Sequence, residues 1–178
     1  KGDILVLAGS IPTVLPSTIY RDIMKRLQNR EVMIVVDATK NLLVNVLEYH
    51  PFLIKPNNHE LEAMLGRTLS TKEEVLEGAK ELQALGARNV LVSMAGDGAV
   101  LLTEDGAVYR EGVCRGTVVN SVGAGDSMVA GFLAGYLKTG DYGYALKLGT
   151  ASGGATAFSH GIGSREKIME LFTQLNKK

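Results

Sequence analysis

Disulfide chemistry is excluded at the outset, because the 178-residue chain has one cysteine, Cys114, and a single cysteine forms no internal bridge. Charge of one sign is also lacking. Nineteen basic and nineteen acidic residues give a formal net charge of zero. Without a basic stripe, nucleic acid is not an expected partner. No long uncharged apolar run is present, so no membrane span is expected, and no signal-peptide pattern opens the chain. With its one cysteine, the chain reads as cytoplasmic. None of His50, His59 and His160 stands at metal-ligand spacing from a cysteine or another histidine, so no zinc-type site is expected. Repeats and low-complexity segments are absent. An initiator Met is lacking too: Lys1-Gly2-Asp3 leads at once into an apolar run, so the chain reads as cut from something longer.

The 46% hydrophobic content argues for a folded core, and the length suits one domain spanning residues 1–178 with no linker. Ile4–Ala8 and Val32–Val36 are continuous apolar runs, the pattern of parallel strands covered on both faces. Phe52–Lys55 and Asn89–Met94 read as further strands. Ala99–Thr103 and Ala107–Tyr109 flank Glu104-Asp105-Gly106 and read as a hairpin. Helices are expected at Ser17–Gln28 with Ser17 as cap, about Lys40–Glu48, Asn57–Leu65, Thr71–Leu85, Ser127–Leu137, Tyr142–Phe158 and Arg165–Leu175. Strand–helix alternation predicts a doubly wound α/β layer with ligands at the carboxyl ends of its strands.

Four motifs carry chemistry. In Asn120-Ser121-Val122-Gly123-Ala124-Gly125-Asp126, glycines and a carboxylate stand where a helix begins. Backbone N–H groups at the positive end of a helix dipole make an anion site, here with a base beside it. A helix start whose Asp merely complements the dipole is the plainer alternative. In Lys55-Pro56-Asn57-Asn58-His59-Glu60, Asn57 and Glu60 have capping-box spacing, yet they also share one helix face and offer hard oxygens to Mg²⁺, while Lys55 could face phosphates. Ser93-Met94-Ala95-Gly96-Asp97-Gly98 is a glycine-rich turn, or a loop that lets backbone approach a nucleotide. Ser152-Gly153-Gly154-Ala155-Thr156-Ala157 suits close helix packing, or a slot for a flat purine closed by the Gly161–Gly163 loop. Asp37 ends a strand, where either a turn or a functional carboxylate is at home.

In this order the motifs resemble the PfkB branch of the ribokinase-like sugar kinases. Gly123–Asp126 with Ser127-Met128-Val129-Ala130-Gly131-Phe132 is similar to that family's C-terminal signature, and Asn57-x-x-Glu60 to its magnesium-associated element. Leu7-Ala8-Gly9-Ser10-Ile11-Pro12 and Val35-Val36-Asp37-Ala38-Thr39 resemble strand ends of the hexose-phosphate kinases. Among these, the likeness is greatest to bacterial 1-phosphofructokinases, with tagatose-6-phosphate kinases next. One departure is Ala95, which stands where the family usually has a glycine.

The resemblance implies a three-layer α/β/α fold with a mostly parallel sheet, whose N-terminal strands and lid are missing from this chain. It implies ATP-dependent phosphorylation of a sugar phosphate, with fructose 1-phosphate converted to fructose 1,6-bisphosphate. Asp126 would be the base, and the backbone of Gly123, Ala124 and Gly125 would neutralise the transferring phosphoryl group. Lys55, Asn57, Ser93, Gly96 and Gly98 would line ATP, joined by Gly154 and Gly161 at the purine slot. Glu60 and Asn57 would act on Mg²⁺. A monovalent cation near Asn120 and Val122, and a homodimer formed through the missing lid, follow by the same likeness. Two rival readings stand beside this one. The chain would be a nucleotide-binding fragment inert without its N-terminal part, or an NAD-binding module. Against the second, the first strand leads to Gly9-Ser10-Ile11-Pro12 and not to G-x-G-x-x-G.

Overall fold

The computed structural model describes residues 2–38 and 41–177. Six strands form one sheet: β1 (Asp3–Ala8), β2 (Val32–Asp37), β3 (Leu53–Ile54), β4 (Asn89–Ser93), β5 (Ala99–Leu102) and β6 (Val108–Glu111), hydrogen-bonded in that order. β1 to β4 pair in parallel. The connections to β5 and β6 are too short for parallel crossovers, which need a dozen residues or more. They are closed by Met94 N–H to the Gly98 carbonyl (2.8 Å) and Thr103 N–H to the Ala107 carbonyl (2.9 Å). With its helices the sheet makes a three-layer α/β/α fold. The chain divides into two compact units.

The first unit runs to Val92 and includes Leu102–Ala107. Its helices are α1 (Ile19–Leu27), α2 (Asn41–Val44), α3 (Asn58–Leu65) and α4 (Lys72–Ala84). Thr18, not Ser17, precedes α1, and its hydroxyl bonds Asp22 instead of capping the backbone. Of the helix expected over Lys40–Glu48, Lys40 lies outside the described residues, as does Thr39 of the strand-end motif. The remainder is the single turn of α2 followed by a 3₁₀ turn at Leu47–Tyr49. Local rules hold well at α4, where Thr71 and Glu74 close a reciprocal capping box. The burial expected of Ile4–Ala8 is not met: in β1 only Leu7 is buried. β1 is an edge strand, so its apolar run has a neighbour on one side alone. In β2, Ile34, Val35 and Val36 are buried as expected.

The second unit holds Ser93–Leu101 and Val108 onward, with α5 (Ala124–Thr139), α6 (Tyr142–Ala157) and α7 (Arg165–Leu175). Helix α5 starts three residues before the expected Ser127, with Gly123 as its N-cap and Ala124–Asp126 in its first turn. α5 and α6 pack closely because glycine stands at their crossing. A Cβ on Gly131 would lie 2.2 Å from Ser152 Oγ, and one on Gly149 would lie 2.8 Å from the Met128 carbonyl. Phe132 is fully buried, and Cys114, Ala151, Ala155, Leu171 and Leu175 form a hydrophobic cluster of the core.

Candidate active site

In the first unit, candidate side chains gather at the carboxyl ends of β1, β2 and β3. The β2–β3 register pairs Val35 with Leu53 and Val36 with Ile54, which carries Asp37 to the side of Lys55. Lys55 Nζ lies 3.2 Å from Asp37 Oδ1, with both side chains largely buried. The sequence leaves Lys55 open to phosphates; the structure engages it with Asp37. A buried pair adds little net stability, but removing one partner leaves an uncompensated charge and costs several kcal/mol, about 3 to 5. Tyr20 of α1 donates to the Ala8 carbonyl at 2.7 Å, beside the same strand ends. Its phenol is pushed above the ordinary value by burial, and secondarily by the Asp37 carboxylate.

Asn57 and Glu60 form the capping box that their spacing allows. Asn57 Oδ1 accepts the Glu60 N–H, and Glu60 Oε2 accepts the Asn57 N–H, both at 2.8 Å. The cap fixes the Glu60 carboxylate at the start of α3 and uses one of its two oxygens. A carboxylate has about four acceptor sites, so Glu60 retains capacity for a cation. Among the described residues no cluster of three His, Cys, Asp or Glu is placed to hold a metal. Mg²⁺ commonly takes one or two carboxylates and completes its shell with phosphates and water, and the hard oxygens of Asn57 and Glu60 fit that limited role.

In the second unit the anion motif is built from its own backbone. Asn120 Oδ1 accepts the Val122 N–H at 3.0 Å and turns the chain. Gly123 then adopts φ +77°, a left-handed conformation that glycine takes without Cβ strain. The first intrahelical bond of α5 runs from the Ser127 N–H to the Gly123 carbonyl at 2.9 Å. Helix geometry leaves the N–H groups before it without a carbonyl in the preceding turn. Of these, Ala124 N–H bonds Ser121 O at 3.1 Å. Gly125 and Asp126 therefore carry the donors best suited to an anion, and Ala124 is a weaker candidate than the sequence suggests. Asp126 is exposed in this first turn, beside those donors.

The turn after β4 presents Gly96 to solvent with nothing near it, whereas Gly98 is buried and takes φ +91°. Ala95 also lies in the left-handed region, at φ +44°. Gly154 packs against Cys114, where an added Cβ would stand 3.2 Å from both Cβ and Sγ. Gly161 is exposed in the loop before α7. The glycines assigned to a purine slot thus divide, one to packing against Cys114 and one to an open loop. Sequence reasoning missed Tyr20 and the pairing of Asp37 with Lys55. Asp37 carried the signal of a strand-end carboxylate; Tyr20 carried none.

Residues 1–168 match the profile of the pfkB family carbohydrate kinases. The chain belongs to the pfkB family. A 1-phosphofructokinase of Bacillus subtilis is 46% identical over 175 residues, which cover 98% of this chain and 57% of the relative. The D-tagatose-1-phosphate kinase of Klebsiella oxytoca is 34% identical with the same coverage of each, 98% and 57%. The crystal structure of a putative phosphofructokinase from Staphylococcus aureus superposes with TM-score 0.91 and 38% identity, over 97% of this chain and 56% of that one. The chain thus spans somewhat more than half the length of the curated relatives it matches. Membership supports the resemblance read from Gly123–Asp126 and the expected three-layer fold. The tagatose kinase among these relatives is named for the 1-phosphate, where the sequence reading had the 6-phosphate. No helix among the described residues is long and apolar enough to cross a membrane.

Proposed function

We propose that this pfkB-family chain is the nucleotide-binding and catalytic part of a sugar-phosphate kinase that converts fructose 1-phosphate and ATP to fructose 1,6-bisphosphate and ADP. The observation that supports it is Asp126, exposed in the first turn of α5 beside the N–H groups of Gly125 and Asp126. In the transfer, Asp126 accepts the proton of the sugar 6-hydroxyl as that oxygen bonds the γ-phosphorus. The bond from phosphorus to the β-phosphate oxygen breaks, and ADP leaves with that electron pair. The α5 N–H groups and helix dipole stabilise charge on the moving phosphoryl group. Such transition states are loose, so Asp126 serves chiefly by orienting the hydroxyl.

Glu60, held by its cap with Asn57, would bind Mg²⁺, which supplies charge neutralisation at the phosphates. Any phosphate that meets Lys55 must compete with Asp37. Ser93, Gly96 and Gly98 are assigned to the nucleotide, with Gly154 and Gly161 at the purine, and a monovalent cation to Asn120 and Val122. On this reading residues 1–178 act as one domain of a cytoplasmic enzyme, homodimeric through a lid outside these residues.

The named relatives also favour a second acceptor. Fructose and tagatose are C4 epimers, so tagatose 1-phosphate differs at one hydroxyl; a tagatose 6-phosphate remains the third member of the panel. In the longest natural polypeptide containing this sequence, fructose 1-phosphate should give the highest kcat/KM of the three. Asp126→Asn should lower kcat by roughly 100-fold or more with KM little changed. A near-normal kcat would overturn the role given to Asp126. The 57% coverage of the B. subtilis relative also supports a fragment reading, in which the 178-residue chain alone binds nucleotide without turnover. Sugar-phosphate turnover by the purified chain would contradict it.

A further inference from the structure

We infer that Thr156 is a positioning residue for the proposed transfer: its hydroxyl locks the start of α5 to the loop before α7, and so fixes Asp126 and the neighbouring N–H donors. The inference rests on the kinase reading of α5. Hydroxyls on helices commonly bond the carbonyl four residues back. Thr139, Ser152 and Thr173 do so here, at 2.8 to 2.9 Å, as does Ser159 just past α6. Thr156, also helical and only 3% exposed, breaks that habit. Its Oγ1 donates to Ser127 Oγ at 2.8 Å and accepts the Gly163 N–H at 3.0 Å.

Ser127 directly follows Asp126 and opens the intrahelical ladder of α5. Gly163 closes the loop that contains Gly161, and a Cβ there would lie 2.5 Å from Ala155 Cβ, so that loop is seated tightly on α6. The next residue of α6 completes the arrangement. The Ala157 carbonyl accepts both the Val119 N–H at 2.8 Å and the Asn120 N–H at 3.1 Å. The last two residues of α6 therefore hold three segments: the approach to Gly123, the first turn beyond Asp126, and the loop before α7. The Ala157 contacts are backbone, which many residues would supply. The Thr156 contact is a side-chain hydroxyl and depends on residue type. Valine keeps its shape without the oxygen; serine keeps the oxygen without the methyl.

The test compares Thr156→Val, Thr156→Ser, Ser127→Ala and the Thr156→Val/Ser127→Ala double variant in the longest natural polypeptide containing this sequence. Misplacing a reacting group costs kcat more than affinity. Thr156→Val should lower kcat roughly tenfold with both KM values within about twofold, Thr156→Ser should stay within about twofold of the parent, and the double variant should be no slower than the slower single variant. Amide hydrogen exchange should rise in Thr156→Val at Gly163 and over residues 123–127, with α7 unchanged. Parental kcat in Thr156→Val, equal losses in the valine and serine variants, additive losses in the double variant, or unchanged exchange would each overturn the inference. If the parent phosphorylates no sugar phosphate, the kinase reading fails by itself, and the exchange data alone decide whether Thr156 holds the junction.

Discussion

Gly98 and Gly123 both have positive φ, +91° and +77°, yet a methyl group would cost them differently. At Gly98 an added Cβ would lie 2.1 Å from the Glu111 carbonyl oxygen, a backbone atom that cannot turn aside. At Gly123 the nearest atom is Thr156 Cγ2 at 4.0 Å, so only the left-handed backbone is strained. Gly98→Ala should therefore destabilise by about 3 kcal/mol or more, and Gly123→Ala by only about 1 to 2 kcal/mol. Urea unfolding of the two variants checks the order, and equal losses would contradict it. Both glycines are visible in the sequence as turn residues. Which one is jammed against another strand is not, because Glu111 reaches Gly98 only after the β5–β6 hairpin has formed. Lys55 shows the same limit. Its position at the end of a short strand was legible, but its engagement with Asp37, eighteen positions earlier, follows from the β2–β3 register.

The capped starts of α3 and α4 were the most legible elements, because caps act within four residues. The boxes at Asn57/Glu60 and Thr71/Glu74 both form, each from residues three apart in sequence. Glu74 accepts the backbone N–H groups of Ser70 and Thr71, and these bonds hold its carboxyl below the ordinary glutamate value. A depressed folded pKa means that the cap stabilises fully above the unfolded value of about 4.3 to 4.5. That contribution disappears as pH falls below it and through the folded value. Glu74→Gln should accordingly flatten the acid side of the stability–pH curve and leave the slope near neutrality unchanged, as urea midpoints at a series of pH values would show. An unchanged acid slope would contradict the cap's share. At α5 the sequence placed the helix start three residues late, at Ser127 in place of Ala124, because glycine is a poor helix former. Packing on α6 and the bond from Ala124 N–H to Ser121 O draw that segment into the helix.

For the whole molecule, the sheet order leaves β1 at an edge, with Val6 42% exposed. Exposed apolar edge strands template pairing with other chains. The 178-residue chain should associate with rising concentration in sedimentation velocity, and Val6→Lys should suppress this without loss of helical signal in circular dichroism. Association unchanged by the lysine would place the contact elsewhere. The sequence by itself determined the α/β class, the caps of α3 and α4 and the family, because strand runs, capping spacings and Gly123–Asp126 are local patterns of residue type. Tertiary structure alone decided which strand is an edge, that Lys55 meets Asp37, and that Thr156 bonds Ser127 and Gly163. Each of those depends on segments brought side by side by register and helix packing, and no spacing along one chain records such distances.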